Sequence, residues 1–228
     1  MREPLRTGYL AEEKGIVLFV DDPHGNLRIY EEKVKERAVI GADCSEGLNE
    51  DEHSAIVLGA DSNATLAAYN SNKIDPDQFA VFLSMLGKYY GLPLAGCPLM
   101  GVERNSVGFS VVSDLLKIYP IKDIYFQYRL DEKTKIKTKK FGWVTDEKTR
   151  YLMLGYLQKE IREGSTELRD KQLILQCMKF INKDGKPQAA AGEKDDLVMA
   201  RAISGMMRRY QPALPIKHQE VIHATKSY

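Results

Sequence analysis

Long apolar runs are missing from this chain of 228 residues. No stretch approaches the roughly 18 consecutive apolar residues that a membrane-spanning helix needs. The sequence opens on Met-Arg-Glu-Pro-Leu-Arg, which is polar and lacks the apolar segment of a secretory signal peptide. The chain is nevertheless long enough to bury a sizeable core. We therefore expect an intracellular globular protein built around one large domain.

Cysteine is scarce, and its spacing does not suggest metal binding. Cys44, Cys97 and Cys177 lie far apart and form no Cys-x-x-Cys pair, which argues against a structural zinc site and against a disulfide framework. We expect free thiols in a reducing compartment. The histidines show no metal-ligand spacing either, and we expect all of them at the surface. They are His24, His53, His218 and His223.

An excess of one charge is also missing, since 33 Lys and Arg balance 32 Asp and Glu to give a net charge of +1. Proteins that bind DNA over a wide surface often carry a basic excess. Charge balance does not exclude DNA binding, because a site that holds cations needs clustered acids beside local basic patches. The sequence contains no G-x-x-x-x-G-K-[ST], G-x-G-x-x-G or G-x-S-x-G motif. Without a P-loop, the chain is not expected to hydrolyse ATP by itself.

Apolar and β-branched runs predict an α/β domain that begins with an antiparallel meander. Residues 39–43, 54–60 and 64–71 are strand candidates with short connections. Upstream, residues 15–20 and 27–30 are two further strand candidates, separated by turn-forming residues, and we expect a strand or hairpin in an otherwise irregular arm.

Helical periodicity alternates with short strands in the rest of the chain. Asp75 and Pro76 predict the start of a helix that Gly91 ends. The later predictions are a strand at 99–103, a helix from 107, a strand at 124–126, a helix through Met153, Leu157 and Ile161, a segment at 168–180 that fits helix or strand, a turn at Asp184-Gly185 and a buried helix from Asp195. We divide the chain into an N-terminal arm with strands leading into the core (1–37), the core domain (38–210) and a polar tail (211–228).

Residues 128–143 are rich in lysine and predict an exposed β-hairpin. Alternate residues of a strand share a face, so a hairpin here would display a basic ridge. We expect this ridge, with two cations of the following helix, to bind DNA through phosphate contacts. The residues are Lys133, Lys135, Lys137, Lys139, Lys140, Lys148 and Arg150. The alternative is a solvated charged hairpin without a ligand.

Carboxylates stand at the ends of apolar elements. Asp43 and Glu103 each end a predicted strand, and Asp195-Asp196 opens the last helix. Each has a structural explanation: Asp43 could accept hydrogen bonds from a turn at 45–47, Glu103 could pair with Arg104, and either aspartate could cap its helix. Together, however, carboxylates at the ends of parallel strands converge on one rim of a sheet. Such a cluster of hard oxygen ligands favours Mg²⁺ or Mn²⁺, and two such ions can catalyse phosphodiester cleavage.

At these residues the chain resembles the C-terminal nuclease domain of terminase large subunits from tailed phages. The resemblance runs from about Arg2 to Ser204 and rests on the order of several motifs. They are 25–31 (GNLRIYE), 39–47 (VIGADCSEG), 54–57 (SAIV), 102–105 (VERN), 141–146 (FGWVTD) with 148–150 (KTR), 185–189 (GKPQA) and 195–200 (DDLVMA).

The resemblance implies a ribonuclease H-like α/β fold, with a mixed central β-sheet and helices on both faces. It implies cleavage of concatemeric double-stranded viral DNA with two Mg²⁺ or Mn²⁺ ions, in the host cytoplasm at the packaging motor. Asp43, Glu103, Asp195 and Asp196 are the implied catalytic residues and metal ligands, and which of the two aspartates binds metal is left open. Many relatives carry His where this chain has Lys194, which could offset the cluster's charge or contact the scissile phosphate.

The implied partners are the terminase ATPase domain, the small terminase subunit and the portal protein. The family's ATPase domain normally precedes the nuclease, so we interpret the chain as an excised domain. Two other functions compete with this interpretation. A related ribonuclease H-like enzyme, such as a Holliday-junction resolvase or a ribonuclease acting on hybrids, would share the metal cluster. A non-catalytic module that docks the motor to DNA or to the portal would not need it.

Overall fold

A mixed seven-stranded sheet organises the chain. The structure, a computed structural model, describes residues 1–32, 36–45, 52–93, 95–130, 135–183 and 186–211. The strands of the sheet are β1 (Arg6–Glu13), β2 (Ile16–Asp21), β3 (Leu27–Ile29), β4 (Ala38–Asp43), β5 (His53–Gly59), β6 (Thr65–Ser71) and β7 (Leu99–Val102). Their order across the sheet is β2-β1-β3-β6-β5-β4-β7. Strand β7 runs parallel to β4, and the other neighbours are antiparallel.

Two smaller hairpins, five α-helices and a short 3-10 helix (Ile121–Asp123) complete the described chain. The helices are α1 (Pro76–Tyr89), α2 (Gly108–Ile118), α3 (Glu147–Arg162), α4 (Lys171–Met178) and α5 (Asp196–Tyr210). The hairpins pair β8 (Phe126–Leu130) with β9 (Lys137–Phe141), and β10 (Phe180–Lys183) with β11 (Lys186–Ala189). None of the helices described is long and apolar enough to cross a membrane.

Apolar residues on both faces of the sheet explain why helices cover both. Successive residues of a strand point to opposite faces. In β4, Ile40 packs in the core formed with α1 and α2, whereas Val39 packs in the second core, formed with α3, α4 and α5. Strand β4 is buried along almost its whole length. The predicted fold, a mixed sheet with helices on both faces, is therefore confirmed.

The N-terminal segment differs from its prediction. The two strands predicted there, now β2 and β3, do not pair with each other, because β1 lies between them. The β1–β2 hairpin turns at Lys14 and Gly15, which both have positive φ. Strands β1 to β3 thus extend the same sheet as the core. The division at residue 37 stays a prediction, and nearly all of the predicted tail (212–228) lies outside the described residues.

The predicted meander of β4, β5 and β6 is confirmed, as is the helix that begins at Pro76. Asp75 occupies the N-cap position of α1, but its side chain makes no capping hydrogen bond. The segment that fitted helix or strand contains α4, which is capped by the buried Asp170 through a 2.8 Å bond from the Leu173 amide. The predicted turn at 184–185 lies outside the described residues.

Candidate active site

The parallel pairing of β4 and β7 brings two of the predicted carboxylates together. Ala42 is in register with Val102, and the Glu103 amide donates to the Ala42 carbonyl at 2.8 Å. Asp43 and Glu103 therefore stand side by side at the same rim of the sheet. Their carboxyl groups lie close enough for Glu103 to raise the pKa of Asp43.

Close packing of α5 on β4 brings a third carboxylate to the same rim. A Cβ on Gly41 would overlap the carbonyl oxygen of Ala200 and the amide nitrogen of Ser204, so glycine is what lets this helix lie directly on the strand. From Gly41 to Asp43 the strand advances about 6.6 Å. From Ala200 back to Asp196 the helix advances about 6 Å. The first turn of α5 consequently reaches the end of β4.

The two adjacent aspartates have different surroundings in the structure. Asp196 is buried, and one of its carboxylate oxygens lies 3.5 Å from the backbone nitrogen of Glu52. Asp195 is the N-cap residue of α5, yet its side chain makes no capping hydrogen bond. Instead, it forms a 2.8 Å ion pair with Arg150. Helix capping by its side chain therefore does not explain Asp195.

The gathered negative charge changes the protonation of the site. The pKa of Asp43 lies well above its ordinary value, chiefly because its carboxyl group is buried, then because of the hydrogen bond with Glu103. The charges of Glu103, Asp196 and Asp195 raise it further. Burial, together with the charges of Asp43 and Glu103, also raises the pKa of the Cys44 thiol. Without a bound cation, burial and the neighbouring acids therefore disfavour the ionised form of Asp43.

The donor set fits a hard divalent cation. Asp43 and Glu103 offer adjacent carboxylate oxygens, and Asp195 and Asp196 lie close enough to raise the Asp43 pKa. Oxygen ligands without thiolate or imidazole suit Mg²⁺ and Mn²⁺. Across the parts of the chain that the structure describes, no three acidic, histidine or cysteine side chains already form a metal-ligand group.

The surroundings of Glu103 show how its loop is held. The Asn105 side chain donates to the Thr145 carbonyl at 2.9 Å and to Glu103 at 3.4 Å. The backbone of Glu103 also pairs with that of Trp143. Gly108 begins α2 against this loop, where a Cβ would overlap the Glu103 carbonyl oxygen. Arg104, the alternative partner of Glu103, lies over the Phe109 ring at 5.8 Å.

Glu52 is a site residue that the sequence did not reveal. It accepts from Asn70 at 2.7 Å and pairs with Lys194 at 3.2 Å. Lys194 is thus held beside the cluster by another acid. In sequence Glu52 belongs to an acidic run that is typical of a solvated turn, and only the pairing of β5 with β6 brings it to Asn70. Lys194 as a phosphate contact stays a prediction.

The histidine prediction was wrong for His53. Its side chain is 1% exposed and stacks on Phe79 of α1, with ring centroids 4.6 Å apart. As the first residue of β5, His53 faces the layer that α1 covers. In the turn considered for Asp43, Ser45 donates its amide to His53 at 3.4 Å, and residues 46 and 47 lie outside the described chain. His24 is exposed as expected, whereas His218 and His223 also lie outside the described residues.

The basic hairpin forms as predicted, but its cations do not share one face. Lys137 pairs with Leu130 and Lys139 with Tyr128, so both lysines share a face with aromatic and aliphatic side chains. Lys139 lies over the Phe126 ring at 3.6 Å. Lys140 projects from the opposite face and is partly buried.

The other predicted DNA-binding residues are spread around this hairpin. Lys135 is exposed at its tip, and Lys133 lies outside the described residues. Lys148 is exposed on the first turn of α3. Arg150, two residues later, is the partner of Asp195 rather than a solvated cation.

Comparison with known proteins gives a match of fold. No protein-family model matches the chain, and no curated protein sequence does. Among solved structures, the large terminase nuclease from the thermophilic phage G20c has a TM-score of 0.60 at 16% identity, covering 89% of this chain and 93% of that one. The same nuclease with bound magnesium gives 0.59 at 15% identity, over 88% and 91%.

The large terminase nuclease domain of Thermus phage P74-26 has a TM-score of 0.56 at 15% identity, covering 88% of this chain and 89% of that one. At these identities the similarity establishes the fold. The chain therefore has the fold of large terminase nuclease domains over nearly its whole described length, which confirms the fold that the resemblance implied.

Proposed function

We propose that the chain is the nuclease domain of a terminase large subunit, an endonuclease that cuts concatemeric double-stranded DNA during viral genome packaging. The observation that supports this most strongly is the convergence of Asp43, Glu103 and Asp196 at one rim of the sheet, within a fold that matches terminase nucleases. A module that only docked on DNA would gain nothing from this cluster, because burying like charges together is costly without a cation.

Asp43 and Glu103 would hold the metal, with Asp196 or Asp195 completing the set. The G20c nuclease has been solved with cobalt, magnesium and zinc, and the oxygen donors here favour Mg²⁺ or Mn²⁺. When bound, two such ions would lower the pKa of a water nucleophile and stabilise the leaving oxygen. The residues would contribute by holding their carboxylate oxygens side by side at the rim of the sheet. Asn105 keeps the Glu103 loop in place.

The β8–β9 hairpin would bind the DNA backbone. Lys135, Lys137 and Lys139 are exposed, and lysine contacts to phosphate give affinity without sequence choice. No base-reading motif is apparent in the chain. Cleavage of several unrelated plasmids should therefore produce smears rather than one discrete set of fragments for each plasmid.

The ATPase domain, the small subunit and the portal protein are the proposed partners. The chain has no P-loop, so translocation would depend on an ATPase supplied by another domain or chain. The purified chain should cut DNA without ATP. ATP hydrolysis that a mutation in this chain abolishes would overturn the assignment.

A plasmid-nicking assay tests the proposed function. Wild-type protein should relax supercoiled plasmid with Mn²⁺ and not with EDTA, and Asp43→Asn should reduce the rate by orders of magnitude because a metal ligand is lost. Asp123→Asn is the matched control, since Asp123 is also a partly buried carboxyl with a raised pKa. It lies beside Ile124, which pairs with Met100 near the start of β7, away from the acidic rim.

The same assay distinguishes the competing functions. Preference for four-way junctions or RNA–DNA hybrids over linear duplex would assign the chain to another ribonuclease H-like activity. Failure of the wild type to nick any substrate with Mn²⁺ or Mg²⁺ would favour a docking module.

A further inference from the structure

Arg150 connects three elements at the edge of the acidic cluster. Its Nη2 lies 2.8 Å from the Asp195 carboxylate, and its Nε lies 3.3 Å from the carbonyl oxygen of Pro187 in β11. The side chains of Arg150 and Asp195 are 30% and 32% exposed. Arg150 itself is well anchored, because α3 begins with a capping box formed by Asp146 and Thr149. One guanidinium thus holds both β11 and the start of α5.

The ion pair with Arg150 engages the Asp195 carboxylate. Its side chain does not cap α5, so Arg150 is the partner that fixes its orientation. While Asp195 is paired with Arg150, the acidic side chains that the structure describes do not form a group of three metal ligands. An oxygen of Asp195 that binds Arg150 is less available to a cation, since the two positive charges compete for one carboxylate.

We propose that Arg150 is a positioning residue that holds Asp195 away from the metal until a DNA phosphate takes its place. This inference rests on the proposed function. Guanidinium binds phosphate and carboxylate with the same two-pronged geometry, so an incoming phosphate is a suitable replacement for Asp195. The released carboxylate then turns to the cation beside Asp43 and Glu103. DNA binding and metal binding consequently strengthen each other, by the same factor in both directions.

Metal affinity in the absence of DNA tests the first half of the proposal. Mn²⁺ is titrated by calorimetry and by the electron paramagnetic resonance signal of the free ion, neither of which requires cleavage. Arg150→Gln should tighten Mn²⁺ binding by roughly two- to fivefold, in line with the loss of a partly exposed ion pair. Arg162→Gln is the control, since it removes the same charge from the same helix, α3, at an exposed side chain. It should change Mn²⁺ affinity by less than about twofold.

The coupling to DNA tests the second half. A short phosphorothioate duplex, which resists cleavage, should tighten Mn²⁺ binding to the wild type after subtraction of Mn²⁺ bound by the duplex alone. That enhancement should be lost in Arg150→Gln. In an Asp195→Asn background, Arg150→Gln should have no further effect, because the competition acts through this one carboxylate.

The outcomes separate this inference from the proposed function. If the wild type binds Mn²⁺ in an Asp43-dependent way and Arg150→Gln leaves that affinity unchanged, the role of Arg150 is wrong and the nuclease assignment stands. If the wild type binds no Mn²⁺, both fail. Should Arg150→Gln unfold, Arg150→Lys provides the same test with a smaller effect, because lysine keeps the charge but loses the guanidinium that bonds both Asp195 and the Pro187 carbonyl. Unchanged affinity in Arg150→Lys then overturns the proposal.

Discussion

Gly41 of β4 and Ser204 of α5 are in backbone contact, and a Cβ at position 41 would overlap the Ser204 amide nitrogen. This contact sets how far α5 reaches along the strand that ends in Asp43. We predict that Gly41→Ala destabilises the protein by about 1–3 kcal/mol, as overpacking of a close contact does, and reduces nuclease activity as Asp196 moves. Urea unfolding followed by circular dichroism measures the first effect.

Gly155 provides a control at which the same Gly→Ala substitution should change stability in the opposite direction. It lies inside α3, and a Cβ there would have no neighbour within 4 Å. Gly155→Ala should stabilise the protein by about 0.5–1 kcal/mol through helix propensity. Equal effects of the two substitutions would contradict the contact described for Gly41.

The buried His53 should make stability depend on pH. Burial lowers the pKa of its imidazole, and the charge of Asp75 opposes this only in part. The unfolded chain, with an ordinary pKa of about 6.5, therefore takes up a proton at a higher pH than the folded protein does. The stability that the neutral imidazole contributes should be fully present above about pH 6.5 and should be lost as the pH falls below that value towards the lowered pKa of the folded protein.

His53→Gln should flatten this dependence, even if its overall stability is lower because the stack on Phe79 is lost. His24→Gln, at an exposed histidine, should leave the dependence unchanged. The measurement is the difference in unfolding free energy between pH 7 and pH 5 for the three proteins. A slope in His53→Gln equal to that of the wild type would show that His53 titrates normally in the folded state.

The carboxylates of the site could be predicted because each of them ends or begins an apolar element, which is a local pattern. Asp43 and Glu103 were predicted to share a rim, and the parallel pairing of β4 with β7 puts them there. The Arg150–Asp195 pair could not be predicted, since its partners are 45 residues apart and no periodicity relates them. The burial of His53 could not be predicted for a similar reason, because it depends on α1, a helix from another part of the chain that packs on this side chain.

A buried ion pair connects α5 to α3. Arg201 is fully buried and contacts Glu160 at 3.2 Å, and Arg209 reaches the other oxygen of Glu160 at the same distance. Glu160→Gln would leave a buried guanidinium without its counter-charge, which we expect to cost about 3 kcal/mol. Glu163→Gln, at an exposed residue of the same helix region, should cost less than about 0.5 kcal/mol. Chemical denaturation of both variants tests this, and similar values would contradict it.

The hairpin lysines should determine how salt weakens DNA binding. Replacing Lys137 and Lys139 by Gln removes two phosphate contacts, so the slope of log affinity against log salt should decrease by about 1.8. Lys159→Gln, at an exposed lysine in the last turn of α3, should leave the slope unchanged. Fluorescence anisotropy on two unrelated duplexes gives the slopes. An unchanged slope in the double variant would indicate that the hairpin is only a solvated surface.

Thermal melting of wild type and Asp43→Asn, each in EDTA and in Mn²⁺, tests the central claim that the rim carboxylates form a metal site. In EDTA, Asp43→Asn should melt at the same temperature as the wild type or higher, because it removes one of the buried acids that repel each other. Mn²⁺ should raise the melting temperature of the wild type more than that of Asp43→Asn, since a ligand that binds only the folded state stabilises it. If Asp43→Asn melts lower in EDTA and Mn²⁺ raises both proteins equally, Asp43 is a structural residue and the metal site proposed here is wrong.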